Sequence, residues 1–334
     1  MEKKIRFGII GTNFITDWVL EGGREDGRFE AAAVCSRSAD TARSFAARHG
    51  IPHIFTSVEE MASSALVDAV YIASPNALHA QQSILCMQYG KHVLCEKAFA
   101  SNVGEVRQML EAARRYGVVL MEAMKPTLTP AFRAVREALS EIGAVRRYFS
   151  CYCQYSSRYD KLKEGVVLNT FKPELSNGAT MDIGVYTIYP MVVLFGRPKT
   201  IHAAGMKLPG GVDGQAAVTF TYENGPVATV LYGKIADSTL PTEIQGEQGT
   251  IVLDRINIIG DVSLVRRGGA TEHIRPETLR NEYYYEVAEF IDIICGGRKE
   301  SAINSHNNSL ITIEILDEIR RQLDVAFPAD KTVT

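Results

Sequence analysis

The first 122 residues alternate between short apolar runs and stretches of helical periodicity, and that rhythm constrains the fold more than anything else in the chain. Ile5–Ile10, Phe29–Cys35, Asp68–Ala73, His92–Cys95 and Val118–Met121 read as strands, and Phe14–Leu20, Ala39–His49, Ala77–Tyr89 and Val103–Tyr116 as the helices between them. Strands this short and apolar suit burial on both faces. Gly50, Gly90 and Gly117 supply helix stops, and Ser57 with Glu60 forms a capping box for a further helix. Strand–helix–strand units joined in this way imply a parallel, doubly wound α/β sheet of the Rossmann type.

Beyond Glu122 the rhythm changes. After a helix near Ala131–Ser140, strands dominate: Val145–Tyr155, Thr200–Ala204, Ala216–Tyr222, Pro226–Tyr232, Glu243–Gln245, Thr250–Leu253 and Val262–Val265. Glu223-Asn224-Gly225 marks a hairpin. One helix, about Ala179–Leu194, interrupts, and two close the chain near Tyr284–Cys295 and Asn308–Leu323. The expectation is a Rossmann domain over 1–122, followed by an α+β domain over 123–334 with an open, mostly antiparallel sheet. Leu310, Ile313, Leu316, Ile319 and Leu323 recur at helical spacing, so the last helix should pack on the protein body.

At 334 residues the chain is long enough for two cores. A net charge of −3 without a basic run gives no support to a nucleic-acid partner. No segment approaches the roughly 18 unbroken apolar residues of a membrane span, and Met1-Glu2-Lys3-Lys4 leads straight into a strand pattern, so a cytoplasmic protein is expected. The six cysteines form no CxxC pair, and Cys151 and Cys153 share one strand face as small hydrophobes or as a thiol pair. No HxH pair occurs, and His49 and His53, four apart, bracket a Gly-Ile-Pro turn that is a poor ligand frame, so no metal site is expected, and a G-x-S-x-G elbow is missing.

Between the first strand and helix runs Gly8-Ile9-Ile10-Gly11-Thr12-Asn13-Phe14-Ile15-Thr16. A glycine turn there lets backbone N–H groups and the helix dipole hold a dinucleotide's pyrophosphate. Gly11 fits this pattern; Asn13 stands at a glycine position, where its tolerance of positive φ would serve, and Thr16 is a looser substitute. Gly11, Thr12, Asn13, Phe14 and Ile15 are therefore the candidate pyrophosphate turn. The second strand ends in Ser36-Arg37-Ser38 in place of the acidic residue that binds an NAD ribose. A hydroxyl and a forked guanidinium suit the 2′-phosphate of NADP, making NADP the preferred cofactor over NAD; the other reading is a solvated loop.

Two strand ends carry further polar groups. Ser74-Pro75-Asn76-Ala77-Leu78-His79 follows the third strand and Glu96-Lys97-Ala98 the fourth, on the rim where open α/β sheets bind ligands. Together with Gly8-Ile9-Ile10-Gly11, Met121-Glu122-Ala123, Asp182-Ile183-Gly184-Val185-Tyr186 and Gly296-Gly297-Arg298, these blocks resemble the glucose–fructose oxidoreductase, inositol dehydrogenase and rhizopine-catabolism family (Gfo/Idh/MocA) over nearly the whole chain. Tyr186 stands where many members carry His, which looks most like the branch of dimeric dihydrodiol dehydrogenase and the NADP-dependent sugar dehydrogenases. Ala98 departs from the usual proline after the lysine, and Thr127 from an arginine of several relatives.

The resemblance implies an NAD(P)-dependent dehydrogenase or reductase of a sugar, polyol or diol, with hydride crossing a cleft from the first domain to the second. It implies Lys97, Asp182 and Tyr186 as catalytic residues, and a homodimer or homotetramer formed through the open sheet. Ser74, Pro75, Asn76, His79, Glu96 and Lys97 are expected on the cofactor side, Glu96 as a cofactor-side or structural carboxylate. Taken singly, Lys97 also reads as a surface lysine, Asp182 as a helix cap, Tyr186 as half-buried core and His79 as structural. A silent NAD(P)-binding regulator and an NAD-dependent glycosidase remain as rival functions.

Overall fold

The computed structural model describes residues 4–274 and 280–331. Met1-Glu2-Lys3, on which the expectation about the start of the chain partly rests, lies outside the described residues. The chain divides into two compact units, Met1–Lys125 with Leu279–Ser309, and Pro126–Thr278 with Leu310–Thr334.

The first unit begins with β1 (Ile5–Ile10), α1 (Phe14–Gly23), β2 (Phe29–Cys35), α2 (Ala39–His49), β3 (His53–Phe55), α3 (Val58–Ser63), β4 (Ala69–Ile72), α4 (His79–Gln88), β5 (His92–Glu96), α5 (Val103–Tyr116) and β6 (Leu120–Ala123). The strands form one parallel sheet in the order β3-β2-β1-β4-β5-β6. Chain order reverses at β1, so the loops leaving β1 and β4 flank the switch point where such sheets bind ligands. Local signals fix the helix ends. Ser57 caps α3, accepting from the Glu60 N–H at 3.3 Å, and Asn102 caps α5, accepting from the Glu105 N–H at 3.0 Å.

The second unit holds α6 (Pro130–Ala138), β7 (Val145–Cys153), α7 (Ser157–Lys163), α8 (Val185–Phe195), β8 (Thr200–Lys207), β9 (Asp213–Thr221), β10 (Val227–Gly233), β11 (Thr242–Gly246), β12 (Gly249–Leu253), β13 (Val262–Arg266) and β14 (Thr271–Ile274). Its sheet runs β14-β13-β12-β11-β7-β10-β9-β8 and is antiparallel except where β10 pairs with β7. Period-two alternation sets its two faces. Ala216, Val218 and Phe220 of β9 lie beside Ala228, Val230 and Tyr232 of β10 on the packed face, with Tyr148 of β7 donating to the Thr187 carbonyl of α8 at 3.0 Å. The alternate residues, among them Gln215, Thr219, Val227 and Met206, face away from that core. Pro173–Phe195 has the length and composition of a membrane span, yet 72% of its most apolar window is buried in the protein.

The chain then returns. α9 (Tyr284–Cys295) belongs to the first unit, a correction to the expected division at Glu122. Its Val287, Phe290 and Ile291 are buried, Phe290 lies 5.9 Å from the Phe7 ring of β1, and Arg28 bonds Asp292 at 2.7 Å. An apolar helix face reads the same from sequence whichever core it covers. In α10 (His306–Gln322), Ile313, Leu316 and Ile319 are buried while Leu310 and Leu323 are half-buried, so this helix does pack on the body.

Candidate active-site residues

Gly11 has φ +106°, and a Cβ on it would stand 2.5 Å from the Ala73 carbonyl oxygen. Only glycine meets both conditions. Asn13 works differently from the expectation: its φ is −87°, so tolerance of positive φ is not what keeps it there. Instead its Oδ1 caps α1 by accepting from the Ile15 N–H at 2.9 Å, and its Nδ2 donates to the Ala73 carbonyl at 2.8 Å. Thr16 is buried and donates to the Gly11 carbonyl at 3.2 Å. The two departures from the glycine pattern thus brace the turn with side chains. Thr12 and Ile15 are half-buried beside it, and Phe14 is exposed, its ring 5.1 Å from Trp18. A turn with no Cβ at its tightest point, opening onto a helix N-terminus, fits a pyrophosphate.

At the end of β2, the Ser36 N–H donates to the Phe55 carbonyl at 3.1 Å, and Ser38 caps α2 through the Thr41 N–H at 3.3 Å. Arg37 is exposed and makes no hydrogen bond or ion pair among the described residues, leaving its fork of donors available to an anion.

At the β4 exit, the Ser74 hydroxyl donates to Gln82 Oε1 at 2.6 Å, and Pro75 leads into a single turn at Asn76–Leu78, with Asn76 buried. His79 is fully buried beneath this rim. Its ring nitrogens lie 2.8 Å from the Ser74 carbonyl and 2.9 Å from the Ala98 carbonyl, so it clamps the two strand exits together. Burial pushes its pKa down, against carbonyl neighbours that favour the charged ring. This is the structural role that His79 alone suggests. The Lys97–Ala98 peptide is cis, and Lys97 is half-buried.

Glu96 is buried, accepts from the Tyr71 hydroxyl at 2.7 Å, and has its pKa raised by that burial. Near it the structure adds groups that sequence reasoning missed. Glu286 of α9 is buried with neither carboxyl oxygen hydrogen-bonded among the described residues, and burial followed by the Glu96 charge holds it well above the usual carboxylate range. Lys125 pairs with Glu282 at 2.6 Å and lies 4.4 Å from the Tyr283 ring. An acidic residue on the apolar face that includes Val287 and Phe290 was the available signal.

In the second unit, the helix expected over Ala179–Leu194 opens with a π-helical turn, Thr180–Gly184, before α8. Buried Asp213 holds its start, accepting from both the N–H and the hydroxyl of Thr180 at 2.7 Å. Gly184 lets Tyr232 approach, since a Cβ there would sit 3.0 Å from that ring. Pro190 offers no N–H to the Tyr186 carbonyl four residues back. From 178 to 192 every residue is buried except Asp182 and Tyr186, which are half-buried. Asp182 in the π turn and Tyr186 in the first turn of α8 are thus the two groups presented from an otherwise covered segment, and π turns recur at functional sites. Tyr186 packs edge-on to Tyr152 at 5.8 Å. Asp182 is ion-paired with Lys234, which follows β10 and was also missed, because nothing in the spacing of residues 182 and 234 links them.

Comparison with known proteins bears on the chain as a whole. Residues 5–124 match the model of an oxidoreductase family with an NAD-binding Rossmann fold, GFO/IDH/MocA, and residues 132–252 match that family's C-terminal domain. The chain is 50% identical over 327 residues to scyllo-inositol 2-dehydrogenase (NADP(+)) IolU of Bacillus subtilis, covering 98% of this chain and 99% of that one. It is 32% identical over 312 residues to trans-1,2-dihydrobenzene-1,2-diol dehydrogenase of Danio rerio, covering 90% and 91%. In fold it resembles KijD10, a 3-ketoreductase of Actinomadura kijaniata solved with NADP and TDP-benzene, at TM-score 0.83 and 23% identity over 97% of this chain and 98% of that one. Matched by both family domains and by a half-identical relative along its length, the chain belongs to the GFO/IDH/MocA oxidoreductase family.

Proposed function

We propose that this NAD(P)-dependent oxidoreductase prefers NADP and interconverts a secondary alcohol and a ketone on a cyclitol or related polyol, sugar or diol. The observation that carries the reading is the isolated presentation of Asp182 and Tyr186 on a buried segment. The relative named for NADP(+)-dependent oxidation of scyllo-inositol supports the substrate class and the cofactor.

Gly11, Thr12, Asn13, Phe14 and Ile15 hold the pyrophosphate, and Ser36 with Arg37 the phosphate of the adenosine ribose. Ser74, Pro75 and Asn76 form the nicotinamide-side rim, braced from beneath by His79 and Glu96. When bound, the nicotinamide supplies a hydride acceptor or donor. The chain's own side chains manage the proton. Tyr186 takes the hydroxyl proton as the carbinol is oxidised and returns it in the reverse direction. A free phenol has a pKa of about 10, so this role needs a cation to favour the phenolate. Lys97 supplies that charge and stabilises the substrate oxygen, while Asp182 orients the substrate.

The protein is further proposed to work in the cytoplasm, with all six cysteines as free thiols. It is proposed to assemble as a homodimer or homotetramer through the open sheet face, which carries exposed Met206, Val227 and Val265. The test is to incubate the purified protein with NADP(+) or NAD(+) and a panel of inositols, diols and sugars. NADPH formation with an inositol is the expected result, and no turnover on any panel member with tight nucleotide binding would instead favour a silent regulator.

A further inference from the structure

Lys234 carries an ammonium that the second unit buries. Its side chain is 4% exposed, against 35% for Asp182. Its Nζ donates to the Thr170 hydroxyl at 2.7 Å, pairs with Asp182 Oδ2, and lies 5.9 Å from the Phe171 ring centroid. The backbone is fixed as well: the Lys234 N–H donates to the Gly214 carbonyl at 2.8 Å, and its carbonyl accepts from the Ser156 N–H at 2.9 Å.

One residue therefore grips both ends of the segment 156–170 and joins them to Asp182. Ser156 opens that segment as the cap of α7, and Thr170 closes it. A buried lysine is a poor way to gain stability. Ordering and desolvating the ammonium is costly, and an apolar residue of the same volume against Phe171 would pack as well. What the ammonium adds is direction. It fixes one carboxylate oxygen of Asp182 from the buried side while the rest of that side chain stays reachable.

We propose that Lys234 is a positioning residue: it sets the orientation of Asp182 and couples it to the segment 156–170, so that this loop and the carboxylate meet the substrate as one unit. The inference rests on the functional reading of Asp182 given above.

The test uses the full-length protein and NADPH formation from an inositol, with Lys234→Met, Lys234→Arg, Asp182→Asn and the Lys234→Met/Asp182→Asn double variant. Lys234→Met is expected to lower kcat about a hundredfold, with NADPH affinity unchanged. Lys234→Arg, which keeps a cation beside Asp182, is expected to recover part of the loss. In the Asp182→Asn background, Lys234→Met is expected to cost less than about threefold, because both changes disable the same group. A purely structural lysine would instead give a lowered melting temperature and a loss that multiplies in full with that of Asp182→Asn.

Turnover lost in Asp182→Asn but kept in Lys234→Met overturns the positioning role alone. Turnover untouched by Asp182→Asn overturns the reading of Asp182, and the proposal falls with it. If Lys234→Met does not fold, Thr170→Val decides the matter by removing the hydroxyl that holds Nζ: a fall in kcat of about tenfold is expected, and parental turnover overturns the proposal.

Discussion

The Ala73 carbonyl oxygen would stand 2.5 Å from a Cβ on Gly11, and the same oxygen accepts from Asn13 Nδ2 at 2.8 Å. The exit of β4 and the first turn of α1 are thus locked against each other with no room for a methyl group. Gly11→Ala must displace that carbonyl and also place an alanine at φ +106°, a backbone strain of about 1–3 kcal/mol. Binding of NADPH and NADH, followed by fluorescence titration, is expected to weaken together by at least about tenfold. Unchanged affinity for both would mean that the turn does not hold the pyrophosphate.

Arg37 should separate the two nucleotides. A hydrogen bond to a charged group contributes about 1.5–3 kcal/mol, so Arg37→Ala is expected to weaken NADPH roughly tenfold to a hundredfold. NADH, which has no 2′-phosphate, should bind the variant within about twofold of the parent. Equal loss for both would place Arg37 elsewhere in the nucleotide site, and no loss for either would return it to the solvated-loop reading.

How much of this was legible in the sequence varies with the range of the interaction. β1, β2, α2, α5 and α9 have the bounds expected from apolar runs, caps and glycine stops, because those signals are local. β3, α7 and β14 were missed: the first has only three residues, and the other two are short and largely polar. The return of α9 to the first unit was hidden because periodicity shows that a face is buried, not which core buries it. Asp182 and Tyr186 were singled out through motif order, while the π turn that carries Asp182 and leads into α8 leaves no mark in the spacing. Lys234 and Glu286 act only through partners distant in sequence, and no local rule reaches them. Asn13 was identified at the right place for the wrong reason, since a cap and a positive-φ residue look alike in a glycine turn.

Tyr186→Phe keeps the ring against Tyr152 and removes only the hydroxyl. If Tyr186 exchanges the substrate proton, kcat should fall by about 10²–10⁴, while nucleotide affinity and melting temperature stay at parental values. Stopped-flow and steady-state NADPH formation with the same inositol measure this directly. Undiminished turnover would assign the proton to Lys97 instead.

Arg320 is the main polar anchor of the C-terminal tail. It is buried, bonds Asp317 at 2.7 Å and Asp330 at 2.8 Å, and lies 4.1 Å from the Phe327 ring. Removing one partner of a buried pair costs about 3–5 kcal/mol; the carboxylates here are partly exposed, so Arg320→Ala is expected to cost somewhat less, about 2–3 kcal/mol, by denaturant unfolding. Stability within about 0.5 kcal/mol of the parent would show that the tail is held by its apolar contacts alone.

Glu122 of β6 gives the fold a pH dependence of its own. It is fully buried with neither carboxyl oxygen hydrogen-bonded among the described residues, and that burial outweighs the weaker pull of the nearby Ser309 hydroxyl and Phe99 N–H, pushing its pKa from 4.5 up to about 8. Between those two values the folded state keeps a proton that the unfolded state has lost. Stability is therefore expected to fall as pH rises from about 4.5 to 8 and to level off above, the sign required when the native state binds the extra proton. Glu122→Gln keeps the shape and cannot ionise. It should melt close to the parent at pH 5 and higher than the parent at pH 8, by roughly 2–4 °C for each kcal/mol regained. Parent and variant curves that run parallel from pH 5 to 9 would show that Glu122 keeps one protonation state through that range.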